Sequence, residues 1–295
     1  MGPDPASTHW FVVETWAEDD DELDALSGRL WAAGAAGIEE RAAGTRTELA
    51  VSVSAGRVDA VEAALGERLR NRRGVDADAG LDGWRDWAEP TRVGRVLIEP
   101  AWWEKDVDSR GGAGPAGVRI DPGRAFGSGA HATTRLALEL LQVCLRPGMS
   151  VLDVGMGSGV LAIAAARLGA AHVVAIDVDD EAKRAARANV DRNGVSVIVE
   201  VADHPLADLD GGFDVVVANI DRPTLVELQP ELVRRVRSGG HLVLSGFLTS
   251  NESDITAAYR GVRWTQVLRE DGWTAALGER GVSAGRSRPG PETSG

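Results

Sequence analysis

Val151-Leu152-Asp153-Val154-Gly155-Met156-Gly157-Ser158-Gly159-Val160-Leu161 is the stretch on which the reading of the fold turns. An apolar strand runs through an acidic residue into a glycine turn and then a helix. Glycines at 155 and 157 let the backbone turn tightly and approach a ligand closely, and Gly159 lets the following helix pack near the strand, where a Cβ would obstruct it. A dinucleotide-binding turn places its third glycine one position later, and position 160 is Val. Turns of small residues after strands also arise from packing alone, so the residues downstream of the turn decide between the two.

His172-Val173-Val174-Ala175-Ile176-Asp177 is a second buried strand that ends in an acid. After a strand-helix-strand unit, a carboxylate at that point can accept both ribose hydroxyls of an adenosine. As a mere helix cap Asp177 would be redundant, because Asp179 and Asp180 already serve the helix that starts there. With Asp153 just ahead of the turn, the spacing favours S-adenosylmethionine (SAM) over NAD. Asp153, Gly155, Gly157, Gly159 and Asp177 are the cofactor-binding candidates.

The chain has 295 residues, enough for two cores, and a formal net charge of −13. That charge argues against nonspecific nucleic-acid binding and suits a basic partner such as a lysine-rich protein. The basic residues are almost all Arg, since Lys stands only at 105 and 183. The single cysteine, Cys144, lies in an apolar helical run, which excludes a disulfide framework or a cysteine-based zinc site and predicts a core position. No metal site is expected. No signal peptide opens the chain and no apolar run approaches the roughly 20 residues that span a bilayer, so a cytoplasmic protein without a membrane partner is expected.

The chain changes character near residue 80. Residues 9–17 read as a strand and 19–33 as a helix with Leu23, Leu26, Leu30 and Trp31 at helical spacing; 38–53 read as a hairpin and 58–69 as a second helix. This order predicts a small ferredoxin-like α+β domain over 1–80, with no visible chemistry and a role in partner recognition. The acidic run Glu18 to Glu22 reads as a solvated helix start. Residues 81–117 read as a linker with a connecting strand at 93–98. From 118 to 281, apolar strands at 150–154, 172–177, 195–201, 213–218 and 241–246 alternate with helices and imply a sheet covered on both faces. A hairpin around Asp271-Gly272 completes it, and the Gly, Ser, Arg and Pro of 282–295 read as a disordered tail.

Asp121-Pro122-Gly123-Arg124-Ala125-Phe126-Gly127-Ser128-Gly129-Ala130-His131-Ala132-Thr133-Thr134 is too glycine-rich for a helix and too specific in its polar residues for a spacer. It is expected to fold over a ligand, with Phe126 and His131 on the substrate side. His131 could act as a general base, although a lone His beside a helix start is more often structural. Thr133 and Thr134 open the next helix, as caps or as contacts to the methionine carboxylate of SAM. The fourth strand ends in Ala218-Asn219-Ile220-Asp221, which puts Asn219 at the carboxyl edge of the sheet, where such sheets bind substrates. Asn219 could also cap the helix near Pro223.

Together Asp121 to Thr134, the turn at 153–159, Asp177 and Asn219-Ile220 resemble PrmA, the methyltransferases of large-subunit ribosomal protein L11. The resemblance runs from about Trp84 to Trp273, and the F-G-x-G-x-H-x-T-T loop is its most specific part. It implies a Rossmann-like SAM-dependent methyltransferase sheet behind an amino-terminal domain that recognises the ribosomal protein. It also implies SAM contacts at Thr134, Gly155, Asp177 and Asn219, with Asp203 toward the adenine edge. Asn219 is the candidate catalytic residue. Three departures stand out: Ser128-Gly129-Ala130-His131-Ala132 replaces the usual Thr-Gly-Thr-His-Pro, Met156 a common Cys, and Asp221 an apolar residue. Asp221, next to the transfer site, is expected to favour a cationic substrate. Another protein lysine or a small-molecule amine as acceptor, and a SAM-binding regulator without transfer, remain alternatives at this point.

Overall fold

The computed structural model describes residues 10–35, 37–54, 56–75, 89–103, 116–121, 129 and 131–281. Phe126, with most of its loop, and the expected tail at 282–295 lie outside the described residues.

In the amino-terminal unit, β1 (Trp10–Ala17), α1 (Asp20–Ala32), β2 (Gly37–Ala43), β3 (Arg46–Ser54), α2 (Val58–Leu65) and β4 (Asn71–Val75) follow one another. The four strands pair antiparallel in the order β2-β3-β1-β4, the ferredoxin-like arrangement. Alternation puts Val13, Leu49, Val51 and Val53 on the face that meets Leu23, Leu26 and Leu30 of α1 and Val61 and Leu65 of α2. The second helix stops at Leu65, four residues earlier than its apolar spacing predicts, and a short 3-10 turn, Gly66–Arg68, comes next. Strand β4 has no apolar alternation to announce it. It is an edge strand with residues 71–74 exposed, and pairing with β1 alone makes it extended.

The single connecting strand expected at 93–98 is a hairpin, β5 (Thr91–Val93) and β6 (Val96–Pro100), broken by a turn at Gly94-Arg95; β7 (Ala116–Ile120) then joins β6 in parallel. Val96, Ile98, Val118 and Ile120 belong to the largest apolar core, so this small sheet is packed onto the next layer.

That layer is a seven-stranded sheet of β8 (Ser150–Val154), β9 (His172–Ile176), β10 (Val199–Ala202), β11 (Phe213–Asn219), β12 (Val236–Leu248), β13 (Val262–Glu270) and β14 (Trp273–Arg280), in the order β10-β9-β8-β11-β12-β14-β13. The first five strands are parallel, and β14 runs antiparallel between β12 and β13. One face packs α3 (Ala132–Cys144), α4 (Val160–Arg167) and α5 (Asp180–Arg192); the other packs α6 (Arg222–Glu227), α7 (Gln229–Arg235) and α8 (Glu252–Ala258). Cys144 is buried in the first of these layers. Strand β10 starts at Val199 and not at 195, because a turn closed by Ile198 N donating to Val195 O (2.8 Å) occupies the residues before it. Chain order reverses between β8 and β11, and the crevice at their carboxyl ends is where an open α/β sheet binds its ligand. Among the described residues, no helix is long and apolar enough to cross a membrane.

Candidate active site

The floor of the crevice is the glycine turn. Gly155 N and Met156 N both donate to Ile176 O, at 2.9 and 3.1 Å, which draws the turn over the end of β9. Gly155 has φ +73°, and a Cβ there would lie 2.2 Å from Ile220 Cγ2, so only glycine admits the chain that carries Asn219. Gly159 caps α4, and its missing Cβ makes room for Ala186 of α5, where the sequence had suggested packing on the strand. Asp153 has no exposed surface: its Oδ2 accepts from Ala162 N at 3.0 Å, tying β8 to the first turn of α4, while its Oδ1 is buried without a partner. Burial, with a smaller push from the charge of Asp177, raises its carboxyl to about 7. Asp153 therefore shapes the turn from behind.

Asp177 faces the turn from the end of β9. One carboxylate oxygen accepts from Gly157 N at 2.9 Å and the other from Asp179 N at 3.0 Å, while Asp179 caps α5. Val178 beside it is wholly exposed, although it is a large apolar residue in an acidic stretch. The sequence reading passed over it; an apolar side chain between Asp177 and Asp179 was the available signal. Asp203, after β10, pairs with Arg187 of α5 at 2.7 Å, and that guanidinium holds its carboxyl below the usual range.

The opposite wall is the start of α3 and the end of β11. Thr133 and Thr134 are buried, and Asn219 Nδ2 donates to Thr134 Oγ1 at 3.4 Å. Asn219 Oδ1 is buried with no hydrogen-bond partner. Ile220 N donates to Ser245 O at 3.2 Å, and Ser245 Oγ donates to Thr133 O at 2.9 Å, so β12 stitches the two segments together. The stitch needs Gly246, which no motif had singled out: a Cβ there would lie 2.3 Å from Ile220 O. Capping of α6 falls to Asp221, whose Oδ1 accepts from Thr224 N at 3.0 Å, and not to Asn219. This gives the departure at 221 a structural use, with one oxygen of the carboxylate already engaged. His131 is the N-cap of α3, its Nδ1 accepting from Thr133 N at 3.3 Å. Met156 fills the core as an ordinary apolar residue.

The residues fit a nucleoside with an amino-acid tail: a carboxylate for hydroxyls at Asp177, an exposed apolar side chain at 178, a glycine turn without side chains to obstruct a ligand, and an unpartnered amide oxygen at Asn219. Residues 45–281 match the family described as Ribosomal protein L11 methyltransferase (PrmA). The chain belongs to that family. It is 41% identical over 208 residues to the ribosomal protein L11 methyltransferase of Symbiobacterium thermophilum, covering 70% of this chain and 67% of that one. To the protein of the same name from Geobacter sulfurreducens it is 44% identical over 197 residues, covering 66% and 64%. The chain thus spans about two thirds of the length of these relatives. The crystal structure of ribosomal protein L11 methylase from Lactobacillus delbrueckii subsp. bulgaricus superposes with a TM-score of 0.59 at 32% identity, over 66% of this chain and all of that one. With family membership the sequence reading stands: a Rossmann-like methyltransferase whose methyl donor is SAM.

Proposed function

We propose that this protein transfers methyl groups from SAM to amino groups of ribosomal protein L11, on lysine side chains and/or the α-amine, with Asn219 positioning the acceptor. The observation that carries this reading is Asn219 Oδ1, a buried acceptor without a partner at the carboxyl edge of β11. Thr134 and the turn at Gly155 and Gly157 would hold the amino-acid end of SAM, Asp177 the ribose, and Val178 and Asp203 the adenine side. SAM bound there supplies a methyl group on a positively charged sulfur.

The chain's own task is to present a neutral amine. A lysine ammonium has no lone pair, and deprotonating it at pH 7 costs about 4–5 kcal/mol, against about 1 for an α-amine. Burial in the crevice lowers the amine's pKa and supplies the nucleophile without a dedicated base. Asn219 Oδ1 then accepts one of its hydrogens and holds the lone pair in line, and such positioning removes several kcal/mol of barrier.

The small amino-terminal domain recognises the acceptor in this account. It adjoins the transfer site: α1 meets the start of α6, where a Cβ on Gly28 would lie 3.4 Å from Pro223 Cγ, four residues past Asn219. The formal charge of −13 favours a basic protein surface over a nucleic acid, and Asp221 would face that acceptor. A ribosomal substrate places the reaction in the cytoplasm. Asn219→Ala is the test. It should bind SAM within about threefold of the parent while losing most turnover, the effect of removing one positioning contact; parental turnover in the variant refutes the role.

A further inference from the structure

His131 is the one candidate whose chemistry the methyl-transfer reading leaves unused. Its Nδ1 lies 3.3 Å from Thr133 N and 2.8 Å from Thr133 Oγ1. A backbone N–H can only donate, so Nδ1 must be an acceptor, and the ring proton of the neutral imidazole sits on Nε2. The Thr133 hydroxyl then donates to the same lone pair. In this tautomer neither ring nitrogen has a lone pair left for a substrate proton. The His131 carbonyl also serves the helix, accepting from Thr134 N and Arg135 N, both at 3.1 Å. The edge of Trp273 stands against the ring, with centroids 5.2 Å apart and planes at 69°, which restrains its rotation.

We propose that His131 is a positioning residue, which closes the first turn of α3 with a neutral imidazole and so sets Thr134 against Asn219. It takes no proton from the acceptor. Thr133 and Thr134 are the two residues the cap holds, and each makes a bond of the site: Thr133 O receives Ser245 Oγ at 2.9 Å, and Thr134 Oγ1 receives Asn219 Nδ2 at 3.4 Å. Loss of the cap lets the first turn fray and separates those two bonds. Burial first, and the nearby Arg135 charge second, push the imidazole pKa down, which keeps the ring in the neutral form that the cap requires.

The inference rests on the methyl-transfer reading only where turnover is measured; SAM affinity tests it separately. Two variants of the full chain suffice. Asn is a preferred capping residue with a short acceptor oxygen and no basic nitrogen, whereas Leu can neither cap nor accept a proton. His131→Leu should weaken SAM binding by calorimetry about tenfold, as expected for an unmade cap, and turnover should fall with it. His131→Asn should restore both to within about threefold of the parent. Turnover lost in both variants with parental SAM affinity overturns the proposal in favour of direct action on the acceptor. Parental SAM affinity in His131→Leu, or failure of Asn to restore it, also overturns it. If His131→Leu does not fold, His131→Asn alone decides, since a general base cannot be replaced by an amide. A parent enzyme that binds SAM but does not methylate L11 refutes the proposed acceptor and leaves the affinity measurements decisive for the cap.

Discussion

Gly246→Ala is the substitution through which the geometry of the transfer site is best tested. Gly246 has φ +93°, and an added Cβ would lie 2.3 Å from Ile220 O, 2.9 Å from its carbonyl carbon and 3.0 Å from its nitrogen. Those are backbone atoms, so no side-chain rotation relieves the overlap, and Ile220 must retreat by about 1 Å to reach ordinary contact. The backbone conformation alone costs about 1–3 kcal/mol for a residue with a Cβ, and the overpacking adds about 1–3. Retreat of Ile220 lengthens its 3.2 Å bond to Ser245 O and carries Asn219 away from Thr134. A misplacement of about 1 Å at a positioned reactant lowers turnover by roughly 100-fold. The control is Gly239→Ala in the same strand: Gly239 also has positive φ, +75°, but a Cβ there meets nothing within 4 Å. Calorimetric melting should show both variants destabilised, Gly246→Ala the more, and methyl transfer should collapse only in Gly246→Ala. Equal turnover in the two variants would refute the claim that β12 holds Ile220, and with it Asn219, in place.

The nucleotide side of the crevice gives two further expected outcomes. Asp177→Ala removes acceptors for Gly157 N and Asp179 N and for the proposed ribose contact, so SAM affinity should drop about 10- to 100-fold by calorimetry; parental affinity would contradict the assignment. Asp153→Asn bears on stability against pH. Asp153 has its carboxyl raised from 3.8 to about 7, so between those values the folded chain holds a proton that the unfolded chain has released, and stability falls as pH rises through that window by at most about 4 kcal/mol. The Asn variant, which does not titrate, should gain on the parent in urea unfolding from pH 4 to 7; a constant difference would show that Asp153 is not protonated in the fold.

The parts of the fold that periodicity announces are those whose partners are water and a generic core. Strands β8, β9 and β11 are continuous apolar runs because helices cover both faces of the sheet, and they begin at the residues where those runs begin. The β13 and β14 hairpin was legible from Asp271-Gly272, and Asp271 does take the positive φ, +50°, that such a turn requires. Strand β4 was not legible, because Asn71-Arg72-Arg73-Gly74 has no buried face and is extended only through its pairing with β1. In the site, the glycine turn, Asp177 and Asn219 could be placed because each sits at a fixed offset from a strand end. Gly246 could not, since its requirement comes from Ile220, the residue that follows the neighbouring strand β11. Nor could the sequence apportion capping between Asn219 and Asp221, or fix His131, whose neighbour Trp273 is 142 positions along the chain.

Mass spectrometry of recombinant ribosomal protein L11 from the same source, incubated with this protein and SAM, tests the central claim most directly. The account predicts mass gains in whole methylene steps at amino groups, abolished by Asp177→Ala and nearly abolished by Asn219→Ala. Unmodified L11 in the presence of a parent enzyme that binds SAM would contradict it, and would move the acceptor to another amine.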